Sequence, residues 1–277
     1  MVLPRATIDD IPREVQRTIQ ARLDEIERDH SVRVLLAVES GSRAWGFASV
    51  DSDFDVRFLY VRRGEGYVSL FAKRDVIEQP IDSALDVSGW DLRKSLSLGL
   101  KWNPALIEWL TSPITYRETG WEAEALRKLF ARPMGRDALI RHYYGLAVKQ
   151  FGRHIDGRDA VNLKKYFYVI RPAVALLWLQ QQPKVAPPMS LPALLDGVRL
   201  SADVTDAIID LRARKAEQSE FGTGERIPAL DDFCIRWITW GAEHLPEQAA
   251  QRDAAATREA ERIFHASVFG LAKPARD

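Results

Sequence analysis

The stretch Gly41–Phe58, GSRAWGFASVDSDFDVRF, opens on a glycine-serine pair and closes on two aspartates one residue apart. Just before it, Val32–Ser40 (VRVLLAVES) is a short apolar run rich in β-branched residues, bounded by charges and by Gly41, and reads as a buried strand. Phe54–Val61 (FDVRFLYV) reads as a second strand, with Arg43–Ala48 a brief helix and SVDSD a loop between them. Side chains alternate across a strand, so Asp53, Asp55 and Arg57 share a face if pairing begins at Asp53. Two carboxylates that close oppose each other's ionisation, and a half-buried strand tolerates them poorly unless they bind something. A hard divalent cation such as magnesium answers this, because it takes carboxylate oxygens and completes its shell with phosphates and water. Gly41 and Ser42 stand where the first strand turns into a helix. Exposed backbone N–H groups there can seat a phosphate, glycine permits close approach, and the serine hydroxyl adds a donor.

Outward from this stretch the chain divides in character. Ile11, Val15, Ile19, Leu23 and Ile26 recur at helical spacing behind Thr7, a capping residue, and predict a helix ending near His30. After the charged turn RRGEG, residues 67–74 read as helical. DVIEQPI then reads as an edge strand, because its proline cannot serve a central one, and Ala84–Val87 as a further strand. From Trp90 on, helical periodicity dominates, with segments near 92–100, 106–110, 121–131, 136–155, 159–182, 190–218 in two pieces and 230–243. The proline-rich Gln181–Met189 separates two of them, and the alanine-rich tail reads as a helix or a frayed end. The fold class expected is α+β (α/β): a small mixed-sheet domain over residues 1–116, then an all-helical domain over 117–277.

Composition narrows the function classes. The chain has 277 residues, 46% hydrophobic and 28% charged, which suits one or two globular cores. Lysine plus arginine equals aspartate plus glutamate at 39 each, so no overall field draws the protein to a polyanion and any such ligand needs a local basic patch. Cys234 is the single cysteine, which rules out an internal disulfide and fits a reducing cytoplasm. No Cys/His pattern with zinc-ligand spacing exists, and the five histidines read as structural or surface residues. The acids of MVLPRATIDD are unlike a signal peptide, and no run of about 18 apolar residues predicts a membrane span.

The order strand, Gly-Ser, Asp-x-Asp on the next strand and a third acid on a later strand resembles the nucleotidyltransferase superfamily of DNA polymerase beta. More narrowly, ESGSRAWGFASVDSDFDVRFLY, DVSGWDLRKSLSLGLKWNPALIEWLTSPITY and LKKYFYVIRP together are similar to nucleotidyltransferases associated with RNA ligases and RNA repair. The resemblance spans roughly residues 31–185, and its weight lies in three separated blocks in the right order. It implies transfer of a nucleoside monophosphate from an NTP such as ATP, with Mg2+ or Mn2+, to an acceptor hydroxyl. An RNA end is one acceptor; a protein or a small molecule, or a catalytically silent nucleotide-binding module, are the alternatives.

The resemblance implies that Asp53 and Asp55 are metal ligands and requires a third acid. Asp86, on a strand after the Asp-x-Asp strand, is the choice; Asp91 is the alternative but begins a helix, where an acid is an ordinary cap, and Asp82 and Glu108 are weaker competitors. Arg43 and Arg57 read either as ion-pair residues or as phosphate ligands beside Gly41 and Ser42. Glu39, next to the phosphate seat, is expected to pair with Arg43 or Arg57. Lys164, Tyr168 and Arg171 fall on one helical stripe, with Lys165 adjacent, an arrangement suited to a triphosphate or an RNA backbone as well as to a plain solvated face. Trp90, Trp102 and Trp109 read as core or domain-contact residues, with base stacking as the alternative, and Cys234 as buried and inert.

Overall fold

The computed structural model describes residues 5–49, 51–81, 84–131, 135–217, 222–247 and 253–270. In chain order the elements are α1 (Arg13–His30), β1 (Val32–Ser40), α2 (Gly41–Trp45), β2 (Phe54–Arg62), β3 (Val76–Glu78), β4 (Leu85–Asp91), α3 (Leu92–Gly99), α4 (Pro104–Leu110), β5 (Thr115–Glu118) and α5 (Glu122–Phe130). Then come α6 (Arg136–His154), β6 (Ala160–Asn162), α7 (Leu163–Gln181), α8 (Leu191–Asp196), α9 (Ala202–Glu217), β7 (Thr223–Glu225), α10 (Pro228–Glu243) and α11 (Ala254–Phe269).

The two strands read from the sequence form the centre of a five-stranded mixed sheet of order β3-β4-β2-β1-β5. β1 runs antiparallel to both β2 and β5, β2 is parallel to β4, and β3 closes the far edge antiparallel to β4. β3 is the edge strand that Pro80, just beyond it, led one to expect. Alternation sets the faces. Val34, Ala37, Val56, Phe58, Tyr60 and Val87 join Ile19, Leu23 and Ile26 of α1 in one apolar core, so Asp55 and Arg57 project from the other face of β2. Phe58 pairs with Gly89 of β4, and a Cβ at Gly89 would lie 2.3 Å from the Phe58 ring: the glycine lets the aromatic ring lie flat across the neighbouring strand.

Several local expectations need correction. Thr7 does not cap α1; its N–H donates to the Asp10 carboxylate (2.7 Å) on a separate single turn, and α1 starts afresh behind Pro12. Residues 67–75 form no helix: Val68, Leu70 and Phe71 are 82, 89 and 79% exposed, so the segment lacks the packed apolar face that stabilises a short helix. β5 was missed because four residues after a turn carry too little pattern.

By packing, the chain forms two compact units, and the boundary is not the expected one at residue 116. One unit comprises Arg5–Trp45, Ser52–Arg132 and the segment carrying α11; the other comprises Gly46–Asp51 and the stretch carrying α6 to α10. α5 and α11 go with the sheet because α5 buries Ala123, Leu126 and Leu129 while α11, through Ala260 and Ile263, packs on α3 and α5. The second unit is not wholly helical, since β6 and β7 pair as a short antiparallel ribbon. Its centre is α7, buried almost continuously from Val169 to Leu179, with α6 and α10 against it. Cys234 of α10 is buried there, and burial pushes its thiol far up, consistent with an inert side chain. Among the described residues no helix is long and apolar enough to cross a membrane.

Candidate active site at the start of the Asp-x-Asp strand

The antiparallel pairing of β1 with β2 sets Ser40 opposite Asp55, so the chain leaves β1 at Gly41 directly beside the Asp55 side chain. Gly41 has φ of +67°, and a Cβ there would lie 2.0 Å from Asp55 Oδ2. Any other residue would meet both the left-handed backbone and the carboxylate. Gly41 and Asp55 are therefore one feature: the glycine's missing side chain is the space the carboxylate occupies. Ser42 follows, half-buried in the short helix α2.

The parallel pairing of β2 with β4 places Asp86 opposite Asp55. The same guanidinium nitrogen of Arg57, Nη2, reaches Asp86 Oδ2 at 2.7 Å and Asp55 Oδ1 at 3.2 Å, while Nη1 donates to the carbonyls of Val56 and Asp86, both at 3.0 Å. The three side chains are 18, 29 and 33% exposed for Arg57, Asp55 and Asp86, which makes this a semi-open ion-pair cluster. Burial, first, lifts the Asp55 carboxyl above its ordinary range; Arg57 pulls it back, and the charges of Asp86 and Asp53 add to the upward push. The repulsion read from the sequence is thus present, but Asp53 is not a strand residue. β2 begins at Phe54, and Asp53 lies exposed one position ahead of it.

Of the two arginines, Arg57 is an ion-pair residue here. Arg43 organises the loop: its Nε donates to the Asp53 carbonyl at 3.2 Å, its Nη2 to the Ser52 carbonyl, and its guanidinium stacks 3.9 Å over the Phe54 ring. Neither arginine pairs with Glu39 by a hydrogen bond. Glu39 is fully buried on β1, accepting the Asp55 backbone N–H at 2.9 Å and the Tyr116 hydroxyl at 2.5 Å. Burial raises its carboxyl to about 7, against the lowering effect of those two donors. Tyr116, whose strand β5 the sequence did not disclose, is the residue that reasoning missed.

The alternative third acid separates cleanly. Asp91 caps α3, accepting from the Arg93 N–H at 2.8 Å and from the Tyr67 hydroxyl at 3.1 Å, and Arg62 approaches it at 3.6 Å. It lines a cavity of about 590 Å³ with Arg62, Tyr67 and Arg93, a cavity that none of Asp53, Asp55 and Asp86 lines. Glu108 is buried in α4, and Asp82 lies outside the described residues. The donors suit a hard dication: Asp55 and Asp86 offer carboxylate oxygens to one point that already holds a cation, and magnesium is commonly held by one or two carboxylates together with substrate phosphates. Among the described residues no group of three or more acidic, histidine or cysteine side chains is placed to hold a metal ion, so Asp53 is not gathered with Asp55 and Asp86 into one ligand set here.

The basic stripe belongs to the other unit. Lys164 Nζ donates to Ser49 Oγ at 3.0 Å, Lys165 stands 4.8 Å from the Tyr168 ring, and Phe47 packs edge-on against Tyr168 at 5.6 Å. Arg171 departs from the expected stripe. It is 3% exposed, with Nε donating to the Met189 carbonyl at 3.0 Å, because α7 is core on all sides by this point. Trp90 and Trp109 pack on each other at 4.0 Å in the sheet unit, as structural residues would.

Comparison with known proteins agrees with the order of motifs. The profile of RlaP, the RNA repair pathway DNA polymerase beta family, matches residues 15–266. An uncharacterised Bacillus subtilis (strain 168) protein, YcgL, is 42% identical over 237 residues, 86% of this chain and 90% of its own. A nucleotidyltransferase-like protein from Exiguobacterium sibiricum 255-15, of known structure, aligns over 92% of this chain and 87% of its own at 14% identity, with a TM-score of 0.28, too slight a likeness to locate residues by.

Proposed function

Because the chain belongs to the RNA repair pathway DNA polymerase beta family, we propose that it transfers a nucleoside monophosphate from an NTP to an acceptor hydroxyl, releasing pyrophosphate. The observation that carries this reading is the fit of the Asp55 carboxylate into the space left by Gly41, with Asp86 in register beside it. Asp53, Asp55 and Asp86 would hold magnesium or manganese. Such an ion, when bound, neutralises the triphosphate and lowers the pKa of an attacking hydroxyl.

The chain's own residues position and shield. Glu39 and Tyr116 fix the backbone of Asp55, and Arg43 fixes the two carbonyls ahead of it, so the start of β2 is rigid. Gly41 and Ser42 lie on the phosphate side, where the N–H groups of the turn and the serine hydroxyl are the available donors. Positioning and charge neutralisation are most of what phosphoryl chemistry requires of a protein. The family name favours an RNA end as acceptor over a protein or a small molecule. A catalytically silent nucleotide-binding module is the second reading, and the observation favouring it is that Arg57 already neutralises two of the three acids.

Incubation with each α-labelled NTP, magnesium or manganese, and separate RNA, protein and small-molecule pools tests these readings. Label in the RNA pool is the expected result. Label in another pool changes the acceptor, and nucleotide binding without transfer to any pool contradicts the enzyme reading.

A further inference from the structure

We propose that Arg57 is an internal counter-ion that holds Asp55 and Asp86 together in the metal-free protein and is exchanged for the divalent cation when one binds. This rests on the metal-dependent function proposed above. The arginine is placed for it by the pleat, two residues after Asp55 on the same face of β2 and across from Asp86 on β4. Its Nη2 takes one oxygen from each acid, at 3.2 and 2.7 Å, while Nη1 is anchored on the Val56 and Asp86 carbonyls.

Two physical consequences follow from that docking. An ion held by Asp55 and Asp86 would take the place between the two carboxylates where Nη2 now sits, so the guanidinium and the ion would compete for it. A guanidinium also keeps its charge at all working pH values, so one left nearby would repel a dication. Exchange is feasible because the pair is semi-open. With both carboxylates about one-third exposed, water screens the ion pairs and their net contribution is small. The fork geometry matters too, since a lysine at this position offers only a point charge in place of two parallel donor directions.

The test is manganese binding to the full-length protein without nucleotide, read by the electron paramagnetic resonance of free Mn2+. The proteins compared are wild type, Arg57→Gln, Arg57→Lys and Asp55→Asn, with far-UV circular dichroism to establish folding. The expected result is that Arg57→Gln binds Mn2+ about tenfold tighter than wild type, Arg57→Lys lies between them, and Asp55→Asn loses binding. If Arg57→Gln does not fold, Arg57→Lys alone decides, and it too is expected to bind tighter than wild type. Binding by the arginine variants that equals or falls below wild type, with Asp55→Asn still defective, overturns the counter-ion role and leaves the nucleotidyltransferase reading standing. An absence of Mn2+ binding in all four proteins overturns both.

Discussion

β4 carries an acid at each end, and the two have opposite fates. Asp91 is 5% exposed at the side chain and is held by a backbone N–H at the start of α3, by the Tyr67 hydroxyl and, at 3.6 Å, by Arg62. Asp86 is 33% exposed, shares its partner with Asp55, and that partner is the end of a long side chain. A nearly buried acid that caps a helix through a main-chain N–H builds the fold, whereas a one-third exposed acid that shares one guanidinium with a second acid is, on the proposal above, open to a ligand. The contrast does not come from residue type or strand, since both are shared; it comes from what each carboxylate would have to give up.

Substitutions should separate the two ends. The largest effect is expected for Asp53→Asn with Asp55→Asn, which should lower nucleotide transfer by on the order of 10³-fold while leaving the melting temperature near that of wild type. Asp86→Asn should act in the same direction, as a loss of rate in a folded protein. Asp91→Asn should do the reverse, destabilising by about 1–2 kcal/mol in urea unfolding while keeping its rate per folded molecule. Equal loss of rate in the Asp86 and Asp91 variants would dissolve the distinction.

Glu39 sharpens the comparison from beneath, because it is a buried acid that positions Asp55. Its folded pKa of about 7 lies above the ordinary 4.5, so its protonated form favours the folded state. That contribution is fully present below about pH 4.5 and is lost as pH rises through about 7. Between roughly pH 4 and pH 8, wild type should lose on the order of 3 kcal/mol of stability relative to Glu39→Gln, as read from paired unfolding curves. A pH-independent difference would mean that Glu39 stays ionised. Gly41→Ala, which forces a methyl against Asp55 Oδ2 and into a left-handed backbone, should cost about 1–2 kcal/mol and reduce transfer. The smallest effect is expected for Lys164→Ala with Lys165→Ala: a several-fold weakening of RNA or triphosphate binding and a salt dependence shallower by roughly two charges. An unchanged salt slope would make these lysines a solvated face.

The central strands and the Gly-Ser and Asp-x-Asp motifs were legible because long β-branched runs bounded by turn residues admit few readings, and β1 and β2 lie where those runs predict. What local pattern does not carry is register. Nothing in FDVRFLYV says that pairing begins at Phe54 and leaves Asp53 outside, or that Asp86 comes opposite Asp55; both depend on which strand is the neighbour. Arg171 shows the same gap for helices, since its spacing from Lys164 and Tyr168 is that of a stripe, yet burial of α7 from Val169 onward places it in the core. Tyr116 and the irregular course of 67–75 were hidden for a simpler reason, that four-residue strands and isolated apolar clusters have no periodicity to read.

The most direct test follows α-labelled and γ-labelled NTP in parallel with wild type and with the Asp53→Asn, Asp55→Asn protein. Wild type, with magnesium or manganese, is expected to move the α label onto an acceptor and release the γ label as pyrophosphate, and the double variant to do neither although it folds. Transfer by the double variant at the wild-type rate would contradict that expectation.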